Sequence, residues 1–116
     1  MSERELPFLL EDIVNSIQNI LVFTNGMLLD NYEADLKTRQ AVERNFMIIG
    51  EAVARVPNEF KALHTKVNWR QVKDFRNFIV HDYFGIDNAI VWDIIQLSLP
   101  ELLQEITLLR AQLPSA

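Results

Sequence analysis

The chain has 116 residues, a formal net charge of −5 and no cysteine. This length fits one domain, residues 1–116, able to bury roughly two thirds of its unfolded surface. The lack of cysteine excludes disulfides and thiolate metal sites. The acidic start Met1-Ser2-Glu3-Arg4-Glu5 lacks the basic n-region of a signal peptide, and no apolar run approaches the roughly 18 residues that span a bilayer, so the expectation is a soluble, cytoplasmic protein with no membrane partner.

Three Gly, four Pro and apolar residues at three- and four-residue spacing predict an all-α chain. The first helix is placed near residues 6–28, with Leu9, Ile13, Ile17, Ile20 and Leu21 as its stripe, fading around Asn25-Gly26. A second runs from Asp35 or Thr38 to Val56, stopped by Pro57, which disfavours helix in the preceding residue. A short turn of helix covers Asn58–His64. The third begins at Asn68, an N-cap with Gln71 three residues on, and ends near Tyr83 before Gly85. Asp87 caps a last long helix that Pro100 should kink or split. One compact bundle is the simplest architecture, without repeat or linker.

Charge is distributed unevenly. Residues 37–81 hold nine basic and four acidic residues, a net of +5, while the remainder, with two basic and twelve acidic, nets −10. Such asymmetry can focus a polyanion on one surface of an acidic protein, although solvated helix faces have the same composition.

The third helix carries the chemistry. At about 100° per residue, Trp69, Val72, Phe75, Ile79 and Val80 form one apolar arc, and Arg76 falls inside it. A guanidinium there needs a partner carboxylate, a subunit interface or an anion. Arg70, Lys73, Asn77 and His81 occupy the adjacent flank, with Arg70 and Lys73 as candidate contacts to a polyanion such as RNA and Arg44 of the second helix as another. Asn77 and His81 are an i, i+4 pair, so the amide can fix the imidazole. Arg76 and His81 are about 140° apart on a regular helix. Either the helix loosens near its end or two copies assemble the site. A dimer would also supply two histidines, one as base for a 2′-hydroxyl and one as acid for the leaving oxygen, with the Arg76 pair stabilising the phosphorane. That chemistry needs no metal and no cofactor, and it spares DNA. His64 and His81 are the two histidines, and no zinc or di-iron pattern surrounds them.

The stretch Arg76-Asn77-Phe78-Ile79-Val80-His81-Asp82-Tyr83, with its R-x4-H-x-Y pattern, resembles the signature of the HEPN superfamily, specifically the HepT-like ribonuclease toxins paired with an MntA-type nucleotidyltransferase antitoxin. The likeness extends to Ala41-Val42-Glu43-Arg44-Asn45-Phe46-Met47-Ile48-Ile49-Gly50-Glu51-Ala52, to Trp69 and to Val91-Trp92-Asp93-Ile94, and so covers most of the chain. It implies a HEPN up-and-down bundle of four to five helices, a two-fold homodimer, and metal-independent endoribonuclease activity toxic to the host, on transfer or messenger RNA. Arg76 and His81 would be catalytic, with Asn77 in support. Tyr83 would accept AMP from the cognate nucleotidyltransferase, placing negative charge where the RNA phosphate binds. The competing reading is a non-catalytic substrate- or nucleotide-binding subunit of a nucleotidyltransferase. Asn45 reads as a hydrogen-bonded core amide, Glu51 and Arg55 as a structural i, i+4 pair, and Trp92 as core. Phe23, Met27, Leu28 and Leu29 are either interface or core.

Overall fold

The computed structural model describes residues 5–81 and 87–114, with the side chains of Phe78, Val80 and His81 outside the description. Among the described residues every regular element is helical: α1 (Glu5–Thr24), α2 (Leu29–Ala34), α3 (Leu36–Arg55), α4 (Asn58–Leu63), α5 (Trp69–His81), α6 (Asn88–Asp93) and α7 (Leu99–Ala111). A π-helical turn, Ile94–Ser98, joins α6 to α7 in one rod.

Local chemistry sets most of these boundaries. Gly26 takes φ 78°, a left-handed conformation that glycine adopts without strain, just after α1 ends. Asp35 starts α3 by accepting the Thr38 N–H at 3.0 Å and the Thr38 hydroxyl at 2.8 Å, and these bonds hold its carboxyl below the usual carboxylate range. Asn68 accepts the Gln71 N–H at 3.0 Å. Asp87 accepts the N–H groups of Ala89 and Ile90 at 3.0 and 3.3 Å. Pro100 lies in the first turn of α7, and the rod adapts upstream of it through the π turn, where the Leu99 N–H reaches the Ile94 carbonyl.

Two expectations change. The first helix, placed to about residue 28, ends at Thr24, and the stretch left unassigned between the first two helices forms the separate α2, whose start is fixed by the Leu28 N–H donating to Asn31 Oδ1 at 2.9 Å. α1, at 20 residues, is long and apolar enough by length and composition to cross a membrane, which inspection for unbroken runs passes over because Glu11 and Asp12 interrupt it. One face of it serves the core, where Leu10, Ile13, Ile17 and Ile20 are wholly buried, while Phe8, Val22 and Phe23 are exposed.

The long helices alternate in direction. Leu9 and Asp12 share a cleft with Ala52 and Arg55, whereas Asn19 bonds Asn45 at 3.2 Å, so α1 and α3 are antiparallel. Arg110 donates to Glu11 through Nε at 3.0 Å, and Thr24 lies beside Ile95, so the α6–α7 rod runs antiparallel to α1. Leu63 to Val67, just before α5, line one cleft with Glu105, Leu108 and Leu109, whereas Val72 and Phe75 line another with Leu97 and Ser98, so α5 runs antiparallel to that rod and therefore to α3. The result is an up-down-up-down bundle. Its core joins Val42, Phe46, Ile49 and Val53 of α3 to Val72 and Phe75 of α5, with the Phe46 and Phe75 rings edge to face at 5.8 Å. At the end of the bundle where α5 finishes, Tyr32 stacks on Trp92 at 5.3 Å. Asn45 is the bonded core amide its position suggested: it donates to the Ala41 carbonyl at 2.8 Å and accepts from Asn19.

Candidate active site

Arg76 lies midway along the seam between α3 and α5, and Gly50 makes its position possible. A Cβ placed on Gly50 would overlap the Arg76 Cβ outright and come within 2.9 Å of its Cδ and 3.0 Å of its Cγ. The arginine stem therefore rests on bare backbone of α3, an approach no other residue type at position 50 permits. The side chain is half-buried, and its Nε is enclosed without a hydrogen-bond partner among the described residues. No described carboxylate pairs with it, because the sole ion pair among the described residues joins Arg110 to Glu11 at 2.6 Å. A guanidinium packed this way presents its remaining donors to an anion while its stem is fixed.

Arg70, Lys73 and Asn77 are exposed along the flank of α5 next to Arg76. His81 is the last residue of α5, with its side chain outside the description, and Tyr83 lies outside the described residues. Arg44 is exposed but stands apart. Six residues from Gly50, it is turned about 120° away from the α5 seam. It falls in the α3 stripe that includes Ile48, Glu51 and Arg55, which line the cleft against α1. Glu51 and Arg55 are both exposed and make no ion pair, so the expected i, i+4 contact is not formed.

Glu43 joins the seam from a position the sequence did not single out. Glu43, Met47 and Gly50 follow one another at i, i+4 and i+7, so Glu43 sits on the stripe that meets α5, about 10 Å along the axis from Gly50. His81 is about 7.5 Å along α5 from Arg76 in the same direction, so both lie toward the same end of the bundle. Burial pushes the Glu43 carboxyl above its ordinary range, and Arg39 one turn back pulls it partly down. Burial, and secondarily Glu43, push the Tyr32 phenol well above its ordinary value, and its hydroxyl is enclosed without a described partner, as is Arg39 Nε. The signal for Gly50 was present in the sequence as a lone glycine inside a helical run. The signal for Glu43 needs the neighbouring helix.

The chain matches the family model described as "Ribonuclease HepT-like" over residues 13–109. The chain belongs to the HepT-like ribonuclease family. Its relatives include a Thermococcus cleftensis protein named "Probable ribonuclease HepT", 39% identical over 93 residues that cover 80% of this chain and 84% of the relative. A Methanocaldococcus jannaschii protein named as a candidate RNase is 36% identical over 106 residues, 91% of this chain and 88% of the relative. A candidate RNase of Caldanaerobacter subterraneus is 32% identical over 97 residues, 84% of this chain and 87% of the relative. No solved structure matches the chain. Within the HepT-like family assignment, the all-helical bundle and the Arg76 seat on Gly50 are the structural frame that any ribonuclease chemistry here must use.

Proposed function

We propose that this HepT-like protein is a metal-independent endoribonuclease that acts in the cytoplasm as the toxic half of a toxin–antitoxin pair, working as a two-fold homodimer. The observation that carries the reading is Arg76, half-buried on Gly50 with no described carboxylate partner, five residues before His81 in a chain of a ribonuclease family. One His81 takes the proton of an RNA 2′-hydroxyl as its oxygen attacks the adjacent phosphorus. The His81 of the second copy gives a proton to the departing 5′-oxygen, leaving a 2′,3′-cyclic phosphate. The paired Arg76 guanidiniums stabilise the charge that accumulates on the phosphorane, where fixed donors are worth most. Asn77, one turn before His81, orients the imidazole. Arg70 and Lys73 contact flanking phosphates, whereas Arg44, turned away from the α5 seam, is left outside this contact.

The reading extends to neutralisation. An AMP placed on Tyr83, two residues after His81 in the sequence, by an MntA-type nucleotidyltransferase would add a negatively charged phosphodiester that competes with the RNA phosphate for the charge of Arg76.

The test is cleavage of total cellular RNA by purified protein in excess EDTA, wild type beside His81→Ala, with folding checked by circular dichroism and Tyr83 shown free of adenylate by mass spectrometry. Cleavage by wild type alone supports the reading. Intact RNA with unmodified wild type overturns it in favour of a nucleotide- or substrate-binding subunit.

A further inference from the structure

The α6–α7 rod and the start of α5 leave a channel between them, built from two clefts. In one, Val72 and Phe75 of α5 stand across from Leu97 and Glu101 of the rod. The other, of about 400 Å³, lies between Leu63–Val67 and the side chains of Glu105, Leu108 and Leu109. Lys66 and Glu105 line both clefts, so the two are continuous along the rod from Leu97 to Leu108. From residue 97 to residue 108 a helix rises about 16 Å. Large apolar side chains stand in water at both ends of the channel: Leu97 is 73% exposed at one, and Leu63 and Leu108 are 79% and 59% exposed at the other. Between them come Glu101 and Glu105, four and eight residues after Leu97, and neither forms an ion pair among the described residues. Against these two acids, Lys66 is the only lysine or arginine among the described lining residues.

Exposed leucines gathered at the two ends of one channel mark a docking surface, unlike apolar residues scattered singly. The acids between them say what docks. A second copy related by a two-fold axis would lay the rod antiparallel on its counterpart and set Glu101 and Glu105 against the same two residues of that copy, like charge on like. RNA would bring its phosphates to those carboxylates and be repelled. A protein segment with Lys or Arg between two apolar anchors meets both features at once, and one face of a helix supplies that spacing. We propose that this channel is a docking groove for an amphipathic helix of a partner protein. Its apolar anchors, about 11 residues apart, rest on Leu97 at one end and on Leu63 and Leu108 at the other, and its basic residues between them pair with Glu101 and Glu105. Arg76 is seated on α3 and does not line this channel, so the docked helix leaves the Arg76 seat open. The inference stands independently of the ribonuclease reading.

The experiment selects binders of the full chain from a displayed library of helical peptides. Apolar residues are fixed about 11 positions apart, and Lys, Arg, Glu, Asp, Gln and Ala are varied on the same face between them. Selected peptides should be enriched in Lys and Arg at the varied positions, and replacing those residues by Glu should weaken binding by about tenfold or more. Glu101→Gln/Glu105→Gln should remove the preference for basic peptides, and Glu101→Lys/Glu105→Lys should reverse it. Leu97→Ser/Leu108→Ser should weaken the selected peptides by about tenfold, whereas Leu36→Ser, at an exposed leucine outside the channel, should leave them unchanged. Circular dichroism confirms folding of each variant. Failure to select any binder, binders without basic enrichment, or binders indifferent to the channel substitutions overturns the proposal. Two further outcomes overturn it in favour of another occupant. If Leu97→Ser/Leu108→Ser breaks up a wild-type oligomer in analytical ultracentrifugation, the channel belongs to a second copy. If the same variant loses affinity for a labelled single-stranded RNA that wild type binds, the channel belongs to RNA.

Discussion

Replacing Gly50 by Ala tests the seat under Arg76 directly. The added methyl would overlap the Arg76 Cβ, an atom fixed to the α5 backbone that cannot rotate aside. Ordinary carbon contact is about 3.5 to 4.0 Å, so α3 and α5 must separate by over about 1 Å, enough to forfeit a quarter to a half of the dispersion attraction along the seam. Overpacking of this kind costs about 1 to 3 kcal/mol, and a clash between two Cβ atoms belongs at the upper end. Ala regains up to about 1 kcal/mol over Gly inside a helix. The net expectation is destabilisation by about 2 kcal/mol, roughly a 30-fold shift in the folding equilibrium, read from the urea midpoint at unchanged m-value. Because the severe obstacle is Cβ, Arg76→Ala in the Gly50→Ala background should relieve only the lesser contacts with Cγ and Cδ, whereas Arg76→Gly should recover most of the loss. A double-mutant cycle measures this coupling. Gly50→Ala protein as stable as wild type, or a cycle in which Arg76→Ala rescues as well as Arg76→Gly, would refute the close approach and with it the account of how Arg76 is held.

Other perturbations follow from the buried and capping groups. Tyr32→Phe removes an enclosed hydroxyl with no described partner, so stability at pH 7 should hold or rise by up to about 1 kcal/mol. The folded Tyr32 pKa is raised, so its contribution is full below about pH 10 and lost as pH climbs above it; urea titrations at alkaline pH should show the variant losing less stability than wild type. Glu43 is also raised, so its ionised form is the disfavoured one in the folded protein: Glu43→Gln should raise the thermal midpoint at pH 7 and gain less near about pH 4. A large loss at pH 7 would instead mean that the ionised carboxylate makes a favourable contact. Asp35 has a lowered pKa, so its cap is effective above the ordinary aspartate range and fades as pH falls through the depressed value. Asp35→Ala should lower the thermal midpoint at pH 7, with the deficit shrinking in acid.

The position of Arg76 carries a consequence for the composite-site proposal. Positions 76 and 81 are about 140° apart on one regular helix, and the Arg76 stem is anchored on Gly50. Within the proposed reading, that spacing favours a cleft completed by a second copy. Glu43 offers the other resolution, as a titrating carboxyl on the same seam within one protomer. A Glu43→Gln variant that folds and retains the wild-type pH–rate profile for RNA cleavage would exclude it.

Periodicity, caps and breakers determined the fold class and nearly every helix boundary, because these effects are local: Asp35, Asn68 and Asp87 each bond to an N–H two or three residues on, and Pro57 acts on its immediate neighbour. The arc of α5 also placed Arg76 among apolar residues before any neighbour was known. That α2 exists was not legible, since six residues hold too little periodicity to separate a short helix from a connecting loop. The rest was decided between helices. That Gly50 lies under Arg76 and that Glu43 shares their seam are facts about residues 26 and 33 positions apart. Only the packing of α3 and α5 brings them together, because desolvation depends on which surfaces close over a side chain and not on its neighbours in the chain.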